Sequence, residues 1–272
     1  MKDKIVLITG STDGIGKQTA LDLADIGCRV IVHGRNPALT ESTANYIASK
    51  TGNSSIDFFV ADFSSLQNVR QLSRKIHLKY GHLDVLINNA GVFMNERGLS
   101  HDGYEMTFAI NHLAHFYLTN LLFDLLQNSP QGRIVSVASM AHASDLDFEN
   151  LQGEKFFDAY TAYSYSKLCN ILFTYLLADK IFDSPITVNS LHPGVISTKL
   201  LHAGWGSGGS RIQEGSSTSV YLATSTEMGQ ITGKYFSNGR QAKSSGISYD
   251  KDIQEKLWEL SEMMIGEKFY VQ

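Results

Sequence analysis

Near the start of the sequence, residues 4–16 read Lys4-Ile5-Val6-Leu7-Ile8-Thr9-Gly10-Ser11-Thr12-Asp13-Gly14-Ile15-Gly16. Its Ile- and Val-rich run predicts a buried strand over 4–9, and the apolar spacing that follows predicts a helix over 15–26. A glycine-rich turn between a strand and a helix N-terminus favours phosphate, because free N–H groups and the helix dipole point there. The spacing is Gly-x-x-x-Gly-x-Gly rather than Gly-x-Gly-x-x-Gly, and the alternative is a simple turn. We predict that the turn binds a dinucleotide through Gly10, Ser11, Thr12, Asp13, Gly14, Ile15 and Gly16.

Strands and helices alternate outward from this stretch. The sequence predicts strands at 4–9, 29–33, 56–60, 83–87, 133–137, 186–191 and 233–236, and helices at 15–26, 37–50, 64–80, 104–127, 163–182, 214–224 and 252–264. This order predicts an α/β fold, a Rossmann-like doubly wound parallel sheet of about seven strands with helices on both faces. No linker or repeat divides the chain, so we predict a single domain over 1–272. Its ligands are expected beyond the carboxyl ends of the strands.

The composition excludes several classes of protein. Hydrophobic residues make up 43% of the 272, charged residues 18%, and the net charge is −4, so nothing indicates nucleic-acid binding. The two cysteines, Cys28 and Cys169, lie in apolar runs and fit reduced core thiols of a cytoplasmic protein. No run reaches the roughly 18 apolar residues of a membrane span. We therefore expect a soluble cytoplasmic protein without a targeting segment.

The loops after the second to fourth predicted strands suit the cofactor. The second loop has Arg35 where NAD-binding folds place an acid, and a guanidinium pairs well with the 2′-phosphate of NADP(H). The carboxylate of Asp13, in the glycine-rich turn, is a mild argument against a phosphate close by. In the third loop, Asp62, followed by Phe63, could accept from the adenine amino group or cap the next helix. The fourth loop, Asn89-Ala90-Gly91, suits a close backbone approach to a cofactor, or is a plain turn.

The catalytic candidates lie later in the chain. Tyr163 and Lys167 share a helix face, where an ammonium could lower a phenol pKa that is about 10 when free. Ser139, beyond the fifth strand, could hydrogen-bond a substrate oxygen. Asn111, an amide in an apolar helix, must be a structural bridge or a water-relay post. The histidines at 112 and 115 lack an evident third ligand, so they are interpreted as ordinary helix positions and no metal site is predicted.

Together these motifs resemble the short-chain dehydrogenase/reductase family over about residues 4–200. The resemblance rests on Thr9-Gly10-x-x-x-Gly14-x-Gly16, Asn88-Asn89-Ala90-Gly91, Asn111, Ser139, Tyr163-x-x-x-Lys167 and Pro193-Gly194, which occur in the family's order. It implies that Tyr163 is the general acid or base, that Lys167 lowers its pKa and holds the nicotinamide ribose, and that Ser139 orients the substrate oxygen. Asn111 would hold a relay water. The implied cofactor contacts are Arg35, Asp62, Phe63, Asn89, Ala90, Gly91, Tyr163, Lys167, Pro193, Gly194, Val195 and Thr198.

Within the family the chain is similar to the retinol-dehydrogenase-like branch, through Ser139-Met140-Ala141-His142 and Gly233-Lys234-Tyr235-Phe236. The resemblance implies NADP(H)-dependent hydride transfer on an apolar aldehyde, ketone or alcohol. The alternatives are an NAD(H)-preferring alcohol dehydrogenase and a non-catalytic dinucleotide-sensing regulator. The segment 199–215, rich in glycine and apolar residues, is expected to form a mobile substrate lid. The helices at 104–127 and 163–182 resemble dimer surfaces of the family, which leaves a homodimer open.

Overall fold

A computed structural model describes residues 2–270; the predicted domain limits, 1 and 272, lie outside this range. The sheet has eight strands in the order β3-β2-β1-β4-β5-β6-β7-β8, all parallel except β8, which runs antiparallel to β7. The α/β prediction is therefore confirmed, with one strand more than expected. The strands are β1 Ile5–Ile8, β2 Arg29–Gly34, β3 Ile56–Val60, β4 Val85–Asn88, β5 Arg133–Val137, β6 Thr187–His192, β7 Lys234–Ser237 and β8 Arg240–Ala242.

Helices pack on both faces of the sheet. They are α1 Gly14–Asp25, α2 Pro37–Thr51, α3 Leu66–Lys79, α4 Met106–Phe108, α5 Ala114–Leu121, α6 Phe123–Gln127, α7 Ala159–Lys180, α8 Lys199–Trp205, α9 Ile212–Gly215, α10 Ser217–Thr224 and α11 Lys251–Ile265. A π-helical segment, Ala109–Leu113, joins α4 to α5. Short 3₁₀ turns lie at Thr226–Gly229 and Gly246–Tyr249.

The central strand β1 shows why the sheet has two cores. Successive side chains of a strand point to opposite faces. Ile5 and Leu7 accordingly belong to the core formed with α3, α5, α7 and α11, whereas Val6 and Ile8 belong to the core formed with α1, α2 and α10. Because both faces are covered, the strand is an unbroken apolar run rather than an alternating one.

The strand order reverses direction between β1 and β4. In doubly wound sheets this switch point opens a crevice at the carboxyl edge, where ligands bind. The loops that follow β1 and β4 come into contact there, since a Cβ added at Gly10 would lie only 2.7 Å from the Cα of Ala90. The fold thus brings the glycine-rich turn against the Asn-Asn-Ala-Gly loop, as their positions in the sequence predict.

Three local features differ from the predicted elements. The helix expected at 104–127 is divided into α4, the π segment, α5 and α6. The predicted last strand is followed by β8, which forms a hairpin through Asn238-Gly239, both in the left-handed region with φ of 53° and 70°. The glycine-rich segment begins with a helix, α8, that the sequence analysis did not predict. Within residues 2–270, none of the helices has both the length and the apolar character needed to cross a membrane.

Candidate active site

The glycine-rich turn leaves no room for a side chain at Gly10 or Gly16. Gly10 and Gly14 adopt left-handed φ values of 62° and 53°, which strongly favour glycine. A Cβ at Gly16 would lie 2.4 Å from both the side-chain Nδ2 of Asn89 and the carbonyl oxygen of Gly10. Asp13 caps α1, accepting from the Gly14 N–H at 2.8 Å. Glycine positions next to a helix N-terminus expose backbone N–H groups, which fit the pyrophosphate of a dinucleotide.

The side chain of Thr9 joins the glycine-rich turn to the loop after β4 through hydrogen bonds. Its Oγ1 accepts from the backbone N–H groups of Asn89 and Ala90, at 2.8 and 2.9 Å. It also lies 2.9 Å from Nε2 of His115, whose Nδ1 is 3.0 Å from the Asn111 carbonyl oxygen. A carbonyl only accepts, so Nδ1 carries the proton, Nε2 is bare, and the Thr9 hydroxyl donates to it. Burial lowers the pKa of His115 to about 3, which keeps the ring neutral.

A second buried histidine holds the other side of the turn. His33 lies at the end of β2, and its Nδ1 accepts from the Gly10 N–H at 3.1 Å. Its Nε2 therefore carries the proton and donates to the Ala61 carbonyl at 3.2 Å. Burial lowers the pKa of His33 to about 4. The sequence does not indicate either role, because the bonds of His33 to Gly10 and Ala61 and of His115 to Thr9 join segments that are far apart in the chain.

Asn111 and Lys167 meet beside Gly91. The Asn111 Oδ1 accepts from the Val92 N–H at 2.8 Å, and its Nδ2 donates to the Val92 carbonyl and the Ser166 hydroxyl, both at 3.0 Å. The buried Nζ of Lys167 donates to the Val137 carbonyl at 3.0 Å. A Cβ at Gly91 would lie 3.5 Å from the Asn111 Oδ1 and 3.6 Å from the Lys167 Nζ. The Asn111 side chain is thus a structural bridge, and its water relay stays a prediction.

The phenol of Tyr163 lies beside Ser139 and is 5% exposed. Burial raises the pKa of Tyr163 to about 12, although the hydrogen bond with Ser139 acts in the opposite direction. Burial also lowers the pKa of Lys167 to about 8, and its Nζ lies 5.6 Å from the Tyr163 ring centroid. The helical spacing predicts that the ammonium lowers the phenol pKa. In the structure desolvation is the larger effect, so the phenol is protonated at neutral pH.

Ser139 is itself held by local hydrogen bonds. Its Oγ accepts from the Ala141 N–H at 3.0 Å. His142 donates from Nδ1 to the Ser139 carbonyl at 2.6 Å and accepts at Nε2 from the Ser245 N–H at 2.9 Å. The loop after β5 is thereby tied to the segment that precedes α11, and the Ser139 hydroxyl stays close to the phenol.

The predicted adenosine-side residues take different positions. Arg35 is exposed at the end of β2 and is close enough to Asp62 to act electrostatically on that carboxylate. The Asp62 Oδ1 accepts from the Ser64 N–H at 2.9 Å, so it caps the following turn. Burial would raise the pKa of Asp62, but its bonds to Ser64 and the charge of Arg35 hold it below the usual value. Phe63 differs from the other candidates, since its ring is buried and stacks on His33 at 4.4 Å.

The loop after β6 returns to the glycine-rich turn. Gly194 has a φ of 99°, while Val195 is half exposed. A Cβ at Gly14 would lie 3.4 Å from Cγ2 of Thr198, which caps α8. The next residue, Lys199, pairs with Asp13 at 2.6 Å, and this bond holds the pKa of Asp13 below its usual value. Thr198 and the glycine-rich turn therefore face the same crevice.

Aromatic rings cover the phenol, and sequence reasoning missed two of them. Phe93, Tyr160 and Trp205 lie around Tyr163, with Phe93 5.5 Å and Trp205 5.6 Å from its ring centroid. Trp205 belongs to the segment 199–215 that is predicted as a lid, whereas Phe93 follows the Asn-Asn-Ala-Gly loop and Tyr160 lies one helical turn before Tyr163. Among the described residues, no group of three His, Cys, Asp or Glu side chains could hold a metal ion.

Known proteins that are similar in sequence point to one family. The family model for short chain dehydrogenases matches residues 4–205. Retinol dehydrogenase 14 of Homo sapiens is 36% identical over 294 residues, which cover 98% of this chain and 87% of that protein.

Solved structures of other proteins are similar to this fold. An uncharacterized protein from Mycobacterium Paratuberculosis has a TM-score of 0.84 at 29% identity, covering 99% of this chain and 96% of the other. A protein assigned as a short chain dehydrogenase from Shigella flexneri 2a, complexed with NADP, has a TM-score of 0.71 at 26% identity, covering 88% and 98%.

Proposed function

The chain belongs to the short-chain dehydrogenase/reductase family, in its retinol-dehydrogenase-like branch, and we propose that it is an NADP(H)-dependent oxidoreductase that reduces apolar aldehydes or ketones or oxidises the corresponding alcohols. The observation that carries the proposal is one cluster at the switch point: the Ser139 hydroxyl lies beside the Tyr163 phenol, and Lys167 and Asn111 adjoin Gly91 next to them. An acid, an oxygen-orienting hydroxyl and a buried cation are what carbonyl reduction requires.

The residues around the crevice fit a nicotinamide dinucleotide. The turn from Gly10 to Gly16 would receive the pyrophosphate, Gly91 would let the cofactor approach Lys167, and Thr198 would face the nicotinamide end. When bound, the cofactor supplies the hydride. Tyr163 then donates its proton to the substrate oxygen, where negative charge develops, and Ser139 holds that oxygen in place. A phenol that stays protonated at neutral pH is in the form that carbonyl reduction needs.

Arg35 supports NADP(H) over NAD(H). It is exposed at the end of β2, where the ribose of a bound dinucleotide would lie, and no acid occupies that strand end. A guanidinium there can bind a 2′-phosphate through two parallel N–H groups. The similar structure from Shigella flexneri is complexed with NADP.

The first experiment follows NADPH oxidation with a panel of apolar aldehydes and ketones. We expect turnover by the wild type, and a fall of about 10²–10⁴-fold in kcat for Tyr163→Phe, because the substitution removes the proton donor. NADPH binding by Tyr163→Phe, measured by fluorescence titration, serves as the control for the fold. Equal, measurable rates for the two proteins would contradict the role of Tyr163, whereas NADPH binding without turnover by the wild type would favour the non-catalytic sensor.

The second experiment tests the cofactor. In Arg35→Ala, we expect the KM for NADPH to rise by about 10- to 100-fold, as for the loss of hydrogen bonds to a charged group, while the KM for NADH changes little. Arg74→Ala, at an exposed position on α3, is the matched control. Tighter binding of NADH than of NADPH by the wild type would favour the NAD(H)-dependent alcohol dehydrogenase instead. The cytoplasmic location, the homodimer and the mobile lid stay predictions.

A further inference from the structure

The imidazole of His115 connects two residues that border the candidate site. Its Nε2 accepts from the Thr9 hydroxyl at 2.9 Å, and its Nδ1 donates to the Asn111 carbonyl at 3.0 Å. The side chain is only 2% exposed, so bulk water does not compete for either bond. The ring therefore spans the distance from the start of the glycine-rich turn to the π segment that carries Asn111.

The bonds of Thr9 and Asn111 continue into the loop after β4. The Thr9 Oγ1 accepts from the Ala90 N–H at 2.9 Å. The Asn111 side chain bonds both backbone groups of Val92, the N–H at 2.8 Å and the carbonyl at 3.0 Å. Gly91 lies between these two anchored residues. The imidazole thus closes a ring of hydrogen bonds around that glycine.

The enclosed glycine faces the ammonium of Lys167. A Cβ at Gly91 would lie 3.6 Å from the Lys167 Nζ and 3.5 Å from the Asn111 Oδ1. The ammonium is held from another direction, by the Val137 carbonyl at 3.0 Å. A shift of the ring would therefore change the space between Gly91 and the ammonium while leaving the bond to Val137 in place.

The two nitrogens of the imidazole lead to different parts of the site. The Nε2 bond leads through Thr9 to the glycine-rich turn and Ala90, which border the crevice for the cofactor. The Nδ1 bond leads to Asn111, beside the catalytic lysine. In buried surroundings a hydrogen bond is strong and its loss is costly. Each bond can therefore be lost with a separate consequence.

We propose that His115 is a positioning residue for this reaction, which sets the glycine-rich turn for cofactor binding through Thr9 and the lysine end of the site for catalysis through Asn111. The inference rests on the proposed function, since it concerns the NADPH that the crevice binds and the hydride transfer that follows. His115 contacts neither the phenol nor the ammonium, and it acts through the two residues that it bonds.

Three substitutions of His115 separate the two nitrogens. His115→Phe keeps a flat ring and removes both bonds. His115→Asn keeps a donor in place of Nδ1 and so retains the bond to Asn111, whereas His115→Gln provides an acceptor near Nε2 and retains the bond to Thr9. We expect the Kd for NADPH to rise about 3- to 10-fold in the Phe and Asn variants, and kcat to fall about 3- to 10-fold in the Phe and Gln variants, as for the loss of one hydrogen bond.

The two constants are measured independently. Fluorescence titration gives the Kd for NADPH without turnover, and kcat is measured at saturating NADPH per folded molecule, with the folded fraction taken from urea denaturation. Thr9→Val and His115→Phe remove the same bond, so their effects on the Kd should be less than additive in the double variant.

His112→Phe is the matched control. His112 is also buried and lies in the same π segment, but its Nε2 is 3.0 Å from the Ser261 hydroxyl of α11 and it has no bond to the ring around Gly91. We expect this variant to lose stability in urea while its Kd for NADPH and its kcat per folded molecule stay at the wild-type values.

The outcomes separate the inference from the proposed function. If His115→Phe lowers the urea midpoint but leaves the Kd and kcat per folded molecule unchanged, the inference is overturned and the oxidoreductase proposal stands. Equal changes of both constants in the Asn and Gln variants would overturn the assignment of the two nitrogens. A wild type that binds NADPH but reduces no member of the carbonyl panel would overturn the proposed function and the kcat half of the inference, while the Kd values would still decide the half that concerns Thr9.

Discussion

At the residue scale, the Thr9 hydroxyl has a complete set of partners. It accepts from the N–H groups of Asn89 and Ala90 and donates to Nε2 of His115, and all of these groups are buried or half buried. Low-dielectric surroundings make such bonds strong and make an unpaired group costly. The single hydroxyl therefore fixes the distance between the glycine-rich turn and the loop that carries Gly91.

Replacing Thr9 with valine should separate shape from hydrogen bonding. Valine has nearly the same shape but leaves two N–H groups and one ring nitrogen unpaired. We expect the free energy of unfolding to fall by about 2–4 kcal/mol, because each unpaired buried group costs about 1–3 kcal/mol, and the KM for NADPH to rise. Urea denaturation and steady-state kinetics measure the two effects. Thr9→Ser keeps the hydroxyl and should retain the KM; a KM equally raised in both variants would show that the methyl group matters instead.

Lys167 and Tyr163 respond to burial in opposite ways. Desolvation disfavours the charged form of each group, so it raises the phenol pKa to about 12 and lowers the ammonium pKa to about 8. In the free enzyme, Lys167 is consequently the group that titrates near physiological pH. The phenol keeps its proton far above that range.

The pH dependence of kcat/KM for NADPH should therefore report Lys167. This ratio reflects the free enzyme. Lys167 loses its proton as the pH rises through about 8, so we expect a decline above that value, while Tyr163 remains protonated. Measuring the ratio from pH 6 to pH 10, across which Lys167 should lose its proton and Tyr163 should keep it, tests this assignment. A ratio that stays constant up to pH 10 would show that the ammonium is not needed for cofactor capture.

The sequence predicts that Tyr163, Lys167 and Ser139 lie close together, because helical spacing and strand ends determine their positions. The sequence does not predict the pKa values of Tyr163 and Lys167, because desolvation depends on how the folded chain buries each group. For the same reason His115 was interpreted as an ordinary helix position. Its neutral state and its bond to Thr9, 106 residues away in the sequence, exist only once β1 and α5 pack together.

At the element scale, the π segment explains how Asn111 reaches the site. A π turn adds one residue to a helix and is frequent at functional sites. Here it lies within a stretch predicted as one continuous helix, and it directs Asn111 toward both backbone groups of Val92. The apolar periodicity that predicted the helix contains no signal for the extra residue. β8 and α8 escaped prediction similarly, because both are short, and α8 buries no residue.

Substituting Asn111 should affect the loop more than the helix. Asn111→Leu preserves size but leaves the N–H and carbonyl of Val92 without their partner. We expect a loss of about 1–3 kcal/mol in unfolding free energy and a fall in kcat, since the neighbouring Gly91 would no longer be held in place. Equal stability of the leucine variant and the wild type, measured in urea, would contradict the bridging role.

At the scale of the whole molecule, the C-terminal segment seals one of the two cores. Phe269 lies beyond α11, and its ring contacts Phe116, Phe123, Phe173 and Trp258, with the Trp258 centroid 4.9 Å away. Glu262 fixes this end, since it accepts from the Phe269 N–H at 2.8 Å and from the Trp258 indole at 3.0 Å. The described chain beyond the family match at 4–205 thus contributes residues to the core, from α11 to Phe269.

Phe269→Ala should therefore destabilise the entire fold without changing its chemistry. Removing a buried phenylalanine costs about 3–5 kcal/mol through lost burial and the cavity that remains. None of its ring partners belongs to the catalytic cluster, so we expect kcat per folded molecule to be unchanged at a temperature where the variant is still folded. Phe182→Ala, at a position that is 77% exposed, is the control and should change stability by less than about 0.5 kcal/mol. If Phe269→Ala instead lowered kcat while leaving the urea midpoint unchanged, the C-terminal segment would act on the active site rather than on the core.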